Sequence, residues 1–328
     1  MHDKGNQGAG VPPTGETSSL KGRIFDCVVV GGGPAGLSAA LYLGRLRRST
    51  LVIDSLHGRS TWHQVNRNYL GFPDGVHATA LRELGETQAR RYGVDFVEGA
   101  VDRISCSGDG REKRFTCETS AGRFVSSTLI LATGVSDNFP EFEGSQQCIG
   151  KSMFWCIFCD GYEAIDKKVV VLGHTDHAAA LALQLLVFTA KVTLVSWDGK
   201  FDLDEKRVRS LEGRGIATYE SDCVGYECRE EGYIHSIRLA DDEQLDLDML
   251  FVAQKIEPNT QLANQLKLST NENGYIRTDA EQCTNVEGVF AAGDVTRLFS
   301  HQVASAVHEG AAAAAAANYY LYEDWQKD

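Results

Sequence analysis

The chain has 328 residues, with 45 acidic and 32 basic side chains and a formal net charge of −13 at pH 7. This balance argues against nucleic acid as a partner, because affinity for a phosphate backbone comes largely from basic side chains. No apolar run approaches the roughly 20 residues that a membrane-spanning helix needs. Residues 1–23 are polar and lack the apolar stretch of a secretory signal, so we expect a disordered leader on a two-domain cytoplasmic protein.

A β-α-β pattern occurs twice. FDCVVVGGGPAGLSAALYL begins at Phe25 and KKVVVLGHTDHAAALALQLL begins at Lys167; each is followed by a second apolar run. Short Val-rich runs alternating with helical periodicity are typical of parallel sheets with crossover helices. The sequence therefore predicts an α/β fold.

Four further elements follow from local patterns. STLILATG (127–134) and GVFAAGD (288–294) are typical of buried strands that end in a turn. Alternating polar and apolar residues over 97–125 predict a small antiparallel meander. The Ala-rich stretch 301–322 predicts a long helix, because Ala has the highest helix propensity.

The first glycine motif, Gly31-x-Gly33-x-x-Gly36, follows a predicted strand and opens a predicted helix, and Asp54 ends the next strand. In such motifs the first glycine makes the tight turn, the second lets backbone approach a pyrophosphate, and the third lets helix and strand pack closely. Asp54 would accept hydrogen bonds from a ribose. The motif predicts a dinucleotide site for either FAD or NAD; a tight structural turn is the alternative.

The second glycine motif departs from this pattern. It begins at Gly173, but Thr175 stands where the middle glycine would be, and Asp176 adds negative charge at a helix N-terminus, which repels a diphosphate. The following strand ends in Ser-Trp-Asp (196–198), without an arginine pair to clamp a 2′-phosphate. We expect NADPH to be excluded; the alternative is that Asp198 binds the ribose of NADH.

A cysteine pair, Cys156-x-x-Cys159, precedes Asp160. This spacing is typical of redox-active thiols, and Asp160 could move the proton that they release and take up. The alternative is half of a zinc site, with Cys223 and Cys228 as the other half, but their spacing is unlike that of zinc ligands, and we predict no metal. The remaining thiols are interpreted as buried and inert: Cys27, Cys106, Cys117, Cys148 and Cys283.

The ordered motifs GGGPAG, LATG, CxxCDG, FVAxxxxPNT, NGYI and GVFAAGDV resemble the low-molecular-weight thioredoxin reductases over nearly everything after residue 23. The resemblance implies two Rossmann-like, three-layer ββα nucleotide-binding domains, the second inserted in the first. Residues 24–139 and 255–328 would form a discontinuous FAD domain. Residues 140–254 would form a degenerate NAD(P)-type domain that carries the dithiol. The homologous proteins also imply a homodimer.

The resemblance assigns FAD to the first glycine motif. It implies that a set of residues along the chain contacts the cofactor: Gly31, Gly33, Pro34, Ala35, Gly36, Asp54, Arg59, Asn68, Thr133, Gly134, Gly293, Asp294, His301, Gln302 and Val303. Three aromatic side chains near the end of the chain, Tyr319, Tyr320 and Tyr322, could in addition stack on a flavin. The tyrosines could instead anchor the terminal helix. Asn68 corresponds to a flavin-contacting Asn, and His301 stands where the family has Arg, which would make the local charge pH-dependent.

The resemblance also assigns Cys159 to the flavin, Cys156 to exchange with a partner, and Asp160 to acid-base work. Because the NADPH-reading segments differ, the chain is most similar to the diflavin-linked disulfide oxidoreductases, which makes a second FAD an open alternative. The leading hypothesis is an FAD-dependent disulfide oxidoreductase that receives electrons from a thioredoxin-like or other dithiol protein, without NADPH, and passes them to an unknown acceptor that could be membrane-associated. The alternatives are an NADPH-dependent thioredoxin-disulfide reductase and a non-catalytic flavin redox sensor.

Overall fold

The computed structural model of this chain describes residues 20, 22–62, 64–139, 145–230, 232–297, 299 and 301–327. The chain divides into two compact units: unit 1 comprises 1–61, 79–136 and 257–328, and unit 2 comprises 62–78 and 137–256. Relative to the bounds expected from the sequence, residues 62–78 group with the second unit. Most of the leader expected over 1–23 lies outside the described residues, which in this stretch are residues 20, 22 and 23.

Within the described residues, the strands are β1 Ile24–Val30, β2 Thr50–Asp54, β3 Val65–Asn66, β4 Val76–His77, β5 Asp95–Glu98, β6 Val101–Ser107, β7 Arg114–Thr119, β8 Gly122–Leu131, β9 Val135–Asp137, β10 Met153–Phe154, β11 Val169–Leu172, β12 Val192–Val195, β13 Ala217–Tyr219, β14 Cys223–Glu230, β15 Tyr233–Leu239, β16 Gln244–Asp246, β17 Met249–Val252, β18 Ile256–Pro258 and β19 Val289–Ala291. The α-helices there are α1 Pro34–Arg45, α2 Ala78–Arg90, α3 Ile157–Asp160, α4 Asp176–Leu185, α5 Glu205–Gly213, α6 Gln261–Gln265 and α7 Val303–Tyr320.

Unit 1 is built on a sheet with the order β5-β2-β1-β8-β7-β6, in which β19 also pairs with β8. Strands β5, β2, β1, β8 and β19 run parallel, whereas β6, β7 and β8 form an antiparallel meander. Successive residues of β1 alternate between two apolar cores, one on each face of the sheet. The glycine turn after β1 therefore lies at the carboxyl edge of a sheet that is covered on both faces, where such folds bind ligands.

Strand β8 differs from its predicted form. The sequence suggests a meander ending near Val125 and a separate strand from Ser127, but the structure has one continuous ten-residue strand, Gly122–Leu131. Its first half pairs with β7 and its second half with β19, while β1 runs along both halves. Along the strand, the side chains change from alternately buried to continuously buried. This change arises because the second half of the strand is covered on both faces, and not because one strand ends and another begins.

Unit 2 contains a parallel sheet with the order β10-β17-β11-β12-β13 and an antiparallel sheet β14-β15-β16. Strand β11 is buried on both faces, with alternate residues in two apolar cores. An aromatic cluster of Trp62, Phe139 and Trp155, with ring centroids 5.1–5.5 Å apart, packs on one of these cores. This cluster explains why the segment that begins at Trp62 belongs to unit 2.

The two β-α-β units and the long Ala-rich helix are present as predicted, the helix running over Val303–Tyr320. Together with the parallel sheets they confirm the predicted α/β class with Rossmann-like domains. In the part of the chain that the structure describes, no helix is both long and apolar enough to span a membrane.

Candidate functional site

The first glycine loop, Gly31–Gly36, is shaped by close backbone approaches. Gly31 has φ +107°, and a Cβ there would lie 2.2 Å from the carbonyl oxygen of Ala132. A Cβ on Gly36 would lie 1.9 Å from the carbonyl oxygen of Gly31. At Gly33 the nearest atom to a Cβ is Ser60 Oγ, at 4.0 Å. Gly31 and Gly36 are thus required by packing, whereas Gly33 leaves open space beside the backbone.

This open space lies at the N-terminus of α1. Gly33 is the N-cap and has no side chain to cap the helix, and Pro34 occupies the first helical position. The first N–H groups of a helix have no intrahelical partner and attract anions. The loop therefore has room at the helix N-terminus for the pyrophosphate of a dinucleotide.

Asp54 lies directly against this loop. A Cβ on Gly32 would be 2.5 Å from Asp54 Oδ2, and the same oxygen accepts a hydrogen bond from Arg82 Nη2 at 2.9 Å. Arg82 Nε is buried and has no hydrogen-bond partner among the described residues. Asp54 can still offer its second oxygen to a ribose hydroxyl. Arg82, which the sequence analysis missed because it lies in the next helix, holds that carboxylate in place.

Gly293 and Asp294 reach the same loop from the other end of the unit. Gly293 has φ +83°, and a Cβ there would lie 2.8 Å from the Cβ of Ala35. Asp294 forms an ion pair with Arg59, with Nη1 and Oδ2 3.1 Å apart. The structure thus brings four predicted cofactor residues together around the start of α1: Ala35, Arg59, Gly293 and Asp294.

The turn at Gly293 is held by Glu309, a fully buried carboxylate in α7. Its Oε2 accepts hydrogen bonds from Gly293 N at 2.7 Å and Thr296 Oγ1 at 3.1 Å, and its side chain also pairs with Arg297. Burial raises the pKa of Glu309 above its ordinary value. Sequence reasoning missed this residue, because a lone Glu in an Ala-rich helix gives no local signal.

The N-terminus of α7 carries the next three predicted residues. Gln302 is the N-cap of the helix and Val303 its first residue. The His301 ring donates through Nε2 to the carbonyl oxygen of Arg297 at 2.7 Å. The helix therefore presents its first N–H groups beside His301, as the resemblance implies for the pyrimidine end of a flavin.

The predicted aromatic residues lie at the opposite end of α7. The helix has 18 residues, which corresponds to about 27 Å, so Tyr319 and Tyr320 are far from His301. Tyr322 lies under the guanidinium of Arg48, 5.5 Å from its ring centroid, and Arg48 also donates to Asn318 Oδ1 at 2.7 Å. These contacts are those of a helix anchor, and the structure does not bring the tyrosines together with the residues at the start of α7.

Thr133 and Gly134 follow β8 and bind a neighbouring segment of the chain. Thr133 Oγ1 donates to the carbonyl oxygen of Asn259 at 2.7 Å, and Asn259 donates to the carbonyl oxygens of Thr133 and Gly134 at 2.9 and 3.0 Å. Gly134 has φ +65°. Within unit 1 these two residues fix the end of the strand beside the glycine loop.

The predicted cysteine pair forms a disulfide, with the two Cα atoms 5.3 Å apart. Cys156 is the N-cap of α3, and its Sγ accepts a hydrogen bond from Cys159 N at 3.1 Å. A helix N-terminus stabilises a thiolate, because its first N–H groups carry partial positive charge. The pair is therefore placed for thiol–disulfide exchange.

Asp160 is buried behind the disulfide, with 9% of its surface exposed. Burial, together with the neighbouring Glu163, raises the pKa of its carboxyl to about 7, while Arg67 acts in the opposite direction. A group that titrates near neutral pH can both give and take a proton under ordinary conditions. The geometry is consistent with the acid-base role expected for Asp160.

A cavity of about 550 Å³ opens beside Cys159 within unit 2. Its lining is mainly apolar, and three of its side chains are largely exposed: Phe158 at 82%, Tyr162 at 74% and Val187 at 81%. Asn68 lies at this cavity and donates from Nδ2 to the carbonyl oxygen of Phe158 at 3.2 Å. The residue expected from the resemblance to contact flavin therefore groups with the disulfide in unit 2.

The second glycine loop, residues 173–178, pairs with a later segment of the chain. Thr175 is the N-cap of α4 and forms a parallel bridge with Asp202. Asp202 N donates to the carbonyl oxygen of His174 at 2.8 Å, and Asp204 N donates to Asp176 Oδ1 at 2.9 Å. The segment after β12 thus pairs with the backbone of this loop.

Charge at this loop is acidic. Asp176 lies in the first turn of α4, and Asp198 faces His174, with Oδ1 3.7 Å from Nδ1. The carboxylate of Asp176 therefore lies at the N-terminus of α4, where a negative charge weakens the attraction of a diphosphate. A Cβ at Gly173 would lie 2.8 Å from Ala178 Cβ, so this remaining glycine serves packing.

The other cysteines differ in part from their predicted burial. Cys27, Cys117 and Cys148 are buried, but Cys106 is exposed and Cys283 is half-buried. Cys106 lies on β6, the edge strand of the meander, whose residues are mostly exposed. The prediction was therefore wrong for Cys106, because an edge strand in an alternating pattern leaves one face open. Among the described residues, no group of three or more His, Cys, Asp or Glu side chains could hold a metal ion.

The chain is similar to one protein family and to several known proteins. The profile of the family described as pyridine nucleotide-disulphide oxidoreductase matches residues 25–314. A thioredoxin reductase of Treponema pallidum is 32% identical over 305 residues, covering 90% of this chain and 97% of that protein. One from Peptoclostridium litorale is 30% identical over 320 residues, with 92% and 98% covered. The crystal structure of HlmI superimposes with a TM-score of 0.83 at 31% identity, covering 92% of this chain and 93% of that one.

Proposed function

This chain belongs to the pyridine nucleotide-disulphide oxidoreductase family as a thioredoxin reductase-like, FAD-dependent disulfide oxidoreductase, and we propose that it takes electrons from a dithiol partner rather than from NADPH. Electrons enter at the Cys156–Cys159 disulfide and leave through FAD to a separate acceptor. The observation that carries this proposal is the second glycine loop, where Thr175 pairs with Asp202 at the N-terminus of α4.

The loop supports the proposal by both shape and charge. A dinucleotide site needs bare backbone and an open helix N-terminus at this point. Here Thr175 replaces the glycine and forms a bridge with Asp202, and the acidic residue Asp176 begins the helix. We therefore expect this loop to bind NADPH weakly.

The residues of unit 1 fit FAD. Gly31, Gly33 and Gly36 would hold the pyrophosphate against α1, Asp54 the ribose, and Asp294 with Arg59 the hydroxyls and phosphates on the other side. The N-terminus of α7 would face the flavin. FAD, when bound, supplies a two-electron store that exchanges with a dithiol.

The dithiol step takes place on this chain's own sulfurs. A thiolate of the partner attacks Cys156 Sγ, the Cys156–Cys159 bond breaks, and Cys159 leaves as a thiolate that Asp160 protonates. The partner's second thiolate then attacks the partner's first sulfur, which is bonded to Cys156 in the mixed disulfide. This step closes the partner's disulfide and releases Cys156 as a thiolate. The partner is oxidised to a disulfide, and the pair on this chain is reduced to a dithiol.

A protein partner such as thioredoxin suits the surface around this disulfide. Phe158, Tyr162 and Val187 are largely exposed beside Cys159, and an exposed apolar patch of this kind marks a site for another molecule. Relatives named thioredoxin reductase support a partner of the thioredoxin class. We therefore place partner docking on this patch.

The test is an anaerobic titration of the flavin-loaded protein with NADPH, then NADH, then a dithiol, followed by loss of flavin absorbance. We expect bleaching with the dithiol alone. In Cys159→Ser we expect the rate of dithiol-dependent bleaching to fall about 1,000-fold or more, because the Cys156–Cys159 disulfide cannot form and the thiol assigned to the flavin is removed. Cys106→Ser, at an exposed thiol in unit 1, is the matched control and should react like the wild type.

The second candidate function is an NADPH-dependent thioredoxin-disulfide reductase, favoured by the relatives that carry that name. Rapid bleaching by NADPH in the same titration would support it and overturn the dithiol-driven direction. Bleaching by NADH alone would instead indicate that Asp198 binds an unphosphorylated ribose.

Two further features belong to this proposal. We infer a homodimer, as in the low-molecular-weight thioredoxin reductases, which sedimentation equilibrium would test.

A second FAD would stack on the exposed ring of Tyr319 at the end of α7. The ratio of flavin to protein distinguishes one FAD from two, and Tyr319→Ala should lower a ratio near two and leave a ratio near one unchanged.

A further inference from the structure

Two cysteines outside the active disulfide lie side by side in unit 2. The sulfurs of Cys148 and Cys228 are 3.7 Å apart, although the residues are 80 positions apart in the sequence. Neither forms a disulfide in the structure. Their closeness is therefore a product of the tertiary fold and not of local spacing.

The fold fixes this closeness through hydrogen bonds between the two segments. Ser152 Oγ, four residues after Cys148, donates to the carbonyl oxygen of Gly232 at 2.8 Å and accepts from Ile234 N at 3.0 Å. Gly232 has φ +84°, and a Cβ there would lie 2.2 Å from the carbonyl oxygen of Gln147. The β14–β15 hairpin is thus held against the segment that contains Cys148.

The two thiols differ in access to solvent. Cys148 is fully buried and Cys228 is exposed. Burial, together with the neighbouring Cys228, raises the pKa of the Cys148 thiol to about 12. A reagent from solution would therefore meet Cys228 first, and Cys148 would be the second thiol to react.

Closing the pair needs only a small displacement. A disulfide has an S–S distance of about 2.05 Å, so the sulfurs must approach by less than 2 Å. The register of β14 against β15 shifts on both sides of Cys228, and such irregularities interrupt the ladder where a strand bends. The backbone at Cys228 is therefore not fixed by a continuous ladder of strand pairing.

We propose that Cys148 and Cys228 form a second, reversible disulfide of this chain, closed by exchange with a small-molecule disulfide. The Cys228 thiolate attacks the reagent, forming a mixed disulfide and releasing one thiol. The Cys148 thiolate then attacks Cys228 Sγ and releases the second thiol. The two protein thiols lose two electrons and two protons, and the small disulfide is reduced to two thiols.

The bond would join covalently two parts of unit 2 that hydrogen bonds and apolar packing connect at present. Cys148 is followed by β10, which leads to Cys156. A cross-link between distant residues restricts the unfolded chain and raises the unfolding temperature. The oxidised form should therefore hold the segment before the active disulfide more firmly against the hairpin.

The experiment treats the folded, full-length protein with glutathione disulfide, alkylates the remaining thiols under native conditions, and maps peptides by mass spectrometry without reduction. We expect a peptide linked through Cys148 and Cys228, the loss of two thiols beyond the active pair, and a higher unfolding temperature that returns to its starting value after reduction. Cys223→Ser is the control, because Cys223 lies in the same strand and bonds to the carbonyl oxygen of Gly225; it should form the link normally.

Cys228→Ser changes an exposed position, and we expect it to lose the linked peptide and the rise in unfolding temperature. Cys148→Ser should retain glutathione on Cys228, because the thiol that displaces it is missing. If that buried substitution prevents folding, the wild-type peptide map decides alone. Two unreacted thiols, a lasting glutathione adduct on wild-type Cys228, or a link to a different cysteine would each overturn the proposal.

Discussion

The two glycine loops start from the same β-α-β pattern and end in different states. In unit 1 the loop after β1 is open at Gly33, and the Asp54 carboxylate beside it is held by Arg82. In unit 2 the loop after β11 carries Thr175, which pairs with Asp202 from the segment after β12. Two loops with the same β-α-β surroundings can therefore differ in the residues that they offer a nucleotide, and the fold alone does not identify the ligand.

The contrast also separates two roles of glycine. Gly31, Gly36 and Gly173 are all required by close contacts with backbone or a neighbouring side chain, in whichever unit they lie. Gly33 is the exception, because a side chain there would meet little of the protein. The second loop has kept the glycine needed for packing and has threonine at the position that only a ligand requires to be bare.

The largest effect should come from placing the threonine of the second loop in the first. In Gly33→Thr we expect the affinity of the apoprotein for FAD to fall about 100-fold or more, because a side chain would stand where the backbone must approach the pyrophosphate. The nearest neighbour of a Cβ there is 4.0 Å away, so the apoprotein should still fold. Quenching of flavin fluorescence during titration measures the affinity.

Gly213→Thr is the control for this substitution, since nothing lies within 4 Å of a Cβ at that position. Its FAD affinity should match the wild type. Equal loss of affinity in both variants would mean that general destabilisation, and not the open backbone at Gly33, accounts for the effect.

If the second loop makes the disulfide the point of electron entry, the rate of that entry should follow Asp160. With a pKa of about 7, its protonated fraction, the form that can protonate the leaving Cys159 thiolate, falls about 10-fold between pH 6 and pH 8. We expect the rate of dithiol-dependent flavin reduction in the wild type, divided by that in Asp160→Asn, to fall by this factor. Taking the ratio removes the ionisation of the dithiol itself.

Asp160 should also make stability depend on pH. The pKa of Asp160 is raised in the folded protein, so the folded state binds this proton more tightly than the unfolded state does. The stabilisation that the bound proton provides is therefore fully present below about pH 4 and is lost as the pH rises through about 7. Thermal unfolding of Asp160→Asn should show a smaller fall in unfolding temperature over this range. Parallel curves for both proteins would contradict the raised pKa.

The smallest effect should come from opening the second loop. In Thr175→Gly with Asp176→Ser we expect affinity for NADPH to increase about 5-fold, because one charge at a helix N-terminus contributes up to about 1 kcal/mol at an exposed site. NADPH fluorescence titration measures the change. Asp241→Ser removes an exposed acid elsewhere in unit 2 and should leave the affinity unchanged; no gain in the double variant would indicate that this loop is not what excludes NADPH.

Local patterns predicted much of the first site. Strand, turn and helix over 24–45 follow from Val-rich and Ala-rich runs around Gly31 and Gly36, and the disulfide follows from the spacing of Cys156 and Cys159. Each of these features is specified within one short segment. The spacing of the glycines, moreover, has a direct steric cause in the contact between Gly36 and the carbonyl of Gly31.

The features that sequence reasoning missed depend on contacts between distant segments. Arg82 and Glu309 hold Asp54 and Gly293 from helices that show no motif. The approach of Cys148 to Cys228 depends on the packing of a hairpin against a loop 80 residues away. Such pairings arise from the arrangement of whole elements, which periodicity along one segment does not specify.

The pairing of β19 with β8 has a consequence for how the protein is made. Strand β8 lies before the 137–256 segment of unit 2 in the chain, and β19 lies after it. During translation the cysteines at 156 and 159 therefore leave the ribosome before Gly293, Asp294 and α7, and domains tend to fold as their residues emerge. The disulfide unit should be able to fold on the nascent chain while the flavin site is still incomplete, so newly made protein would meet cellular thiols before it acquires its cofactor.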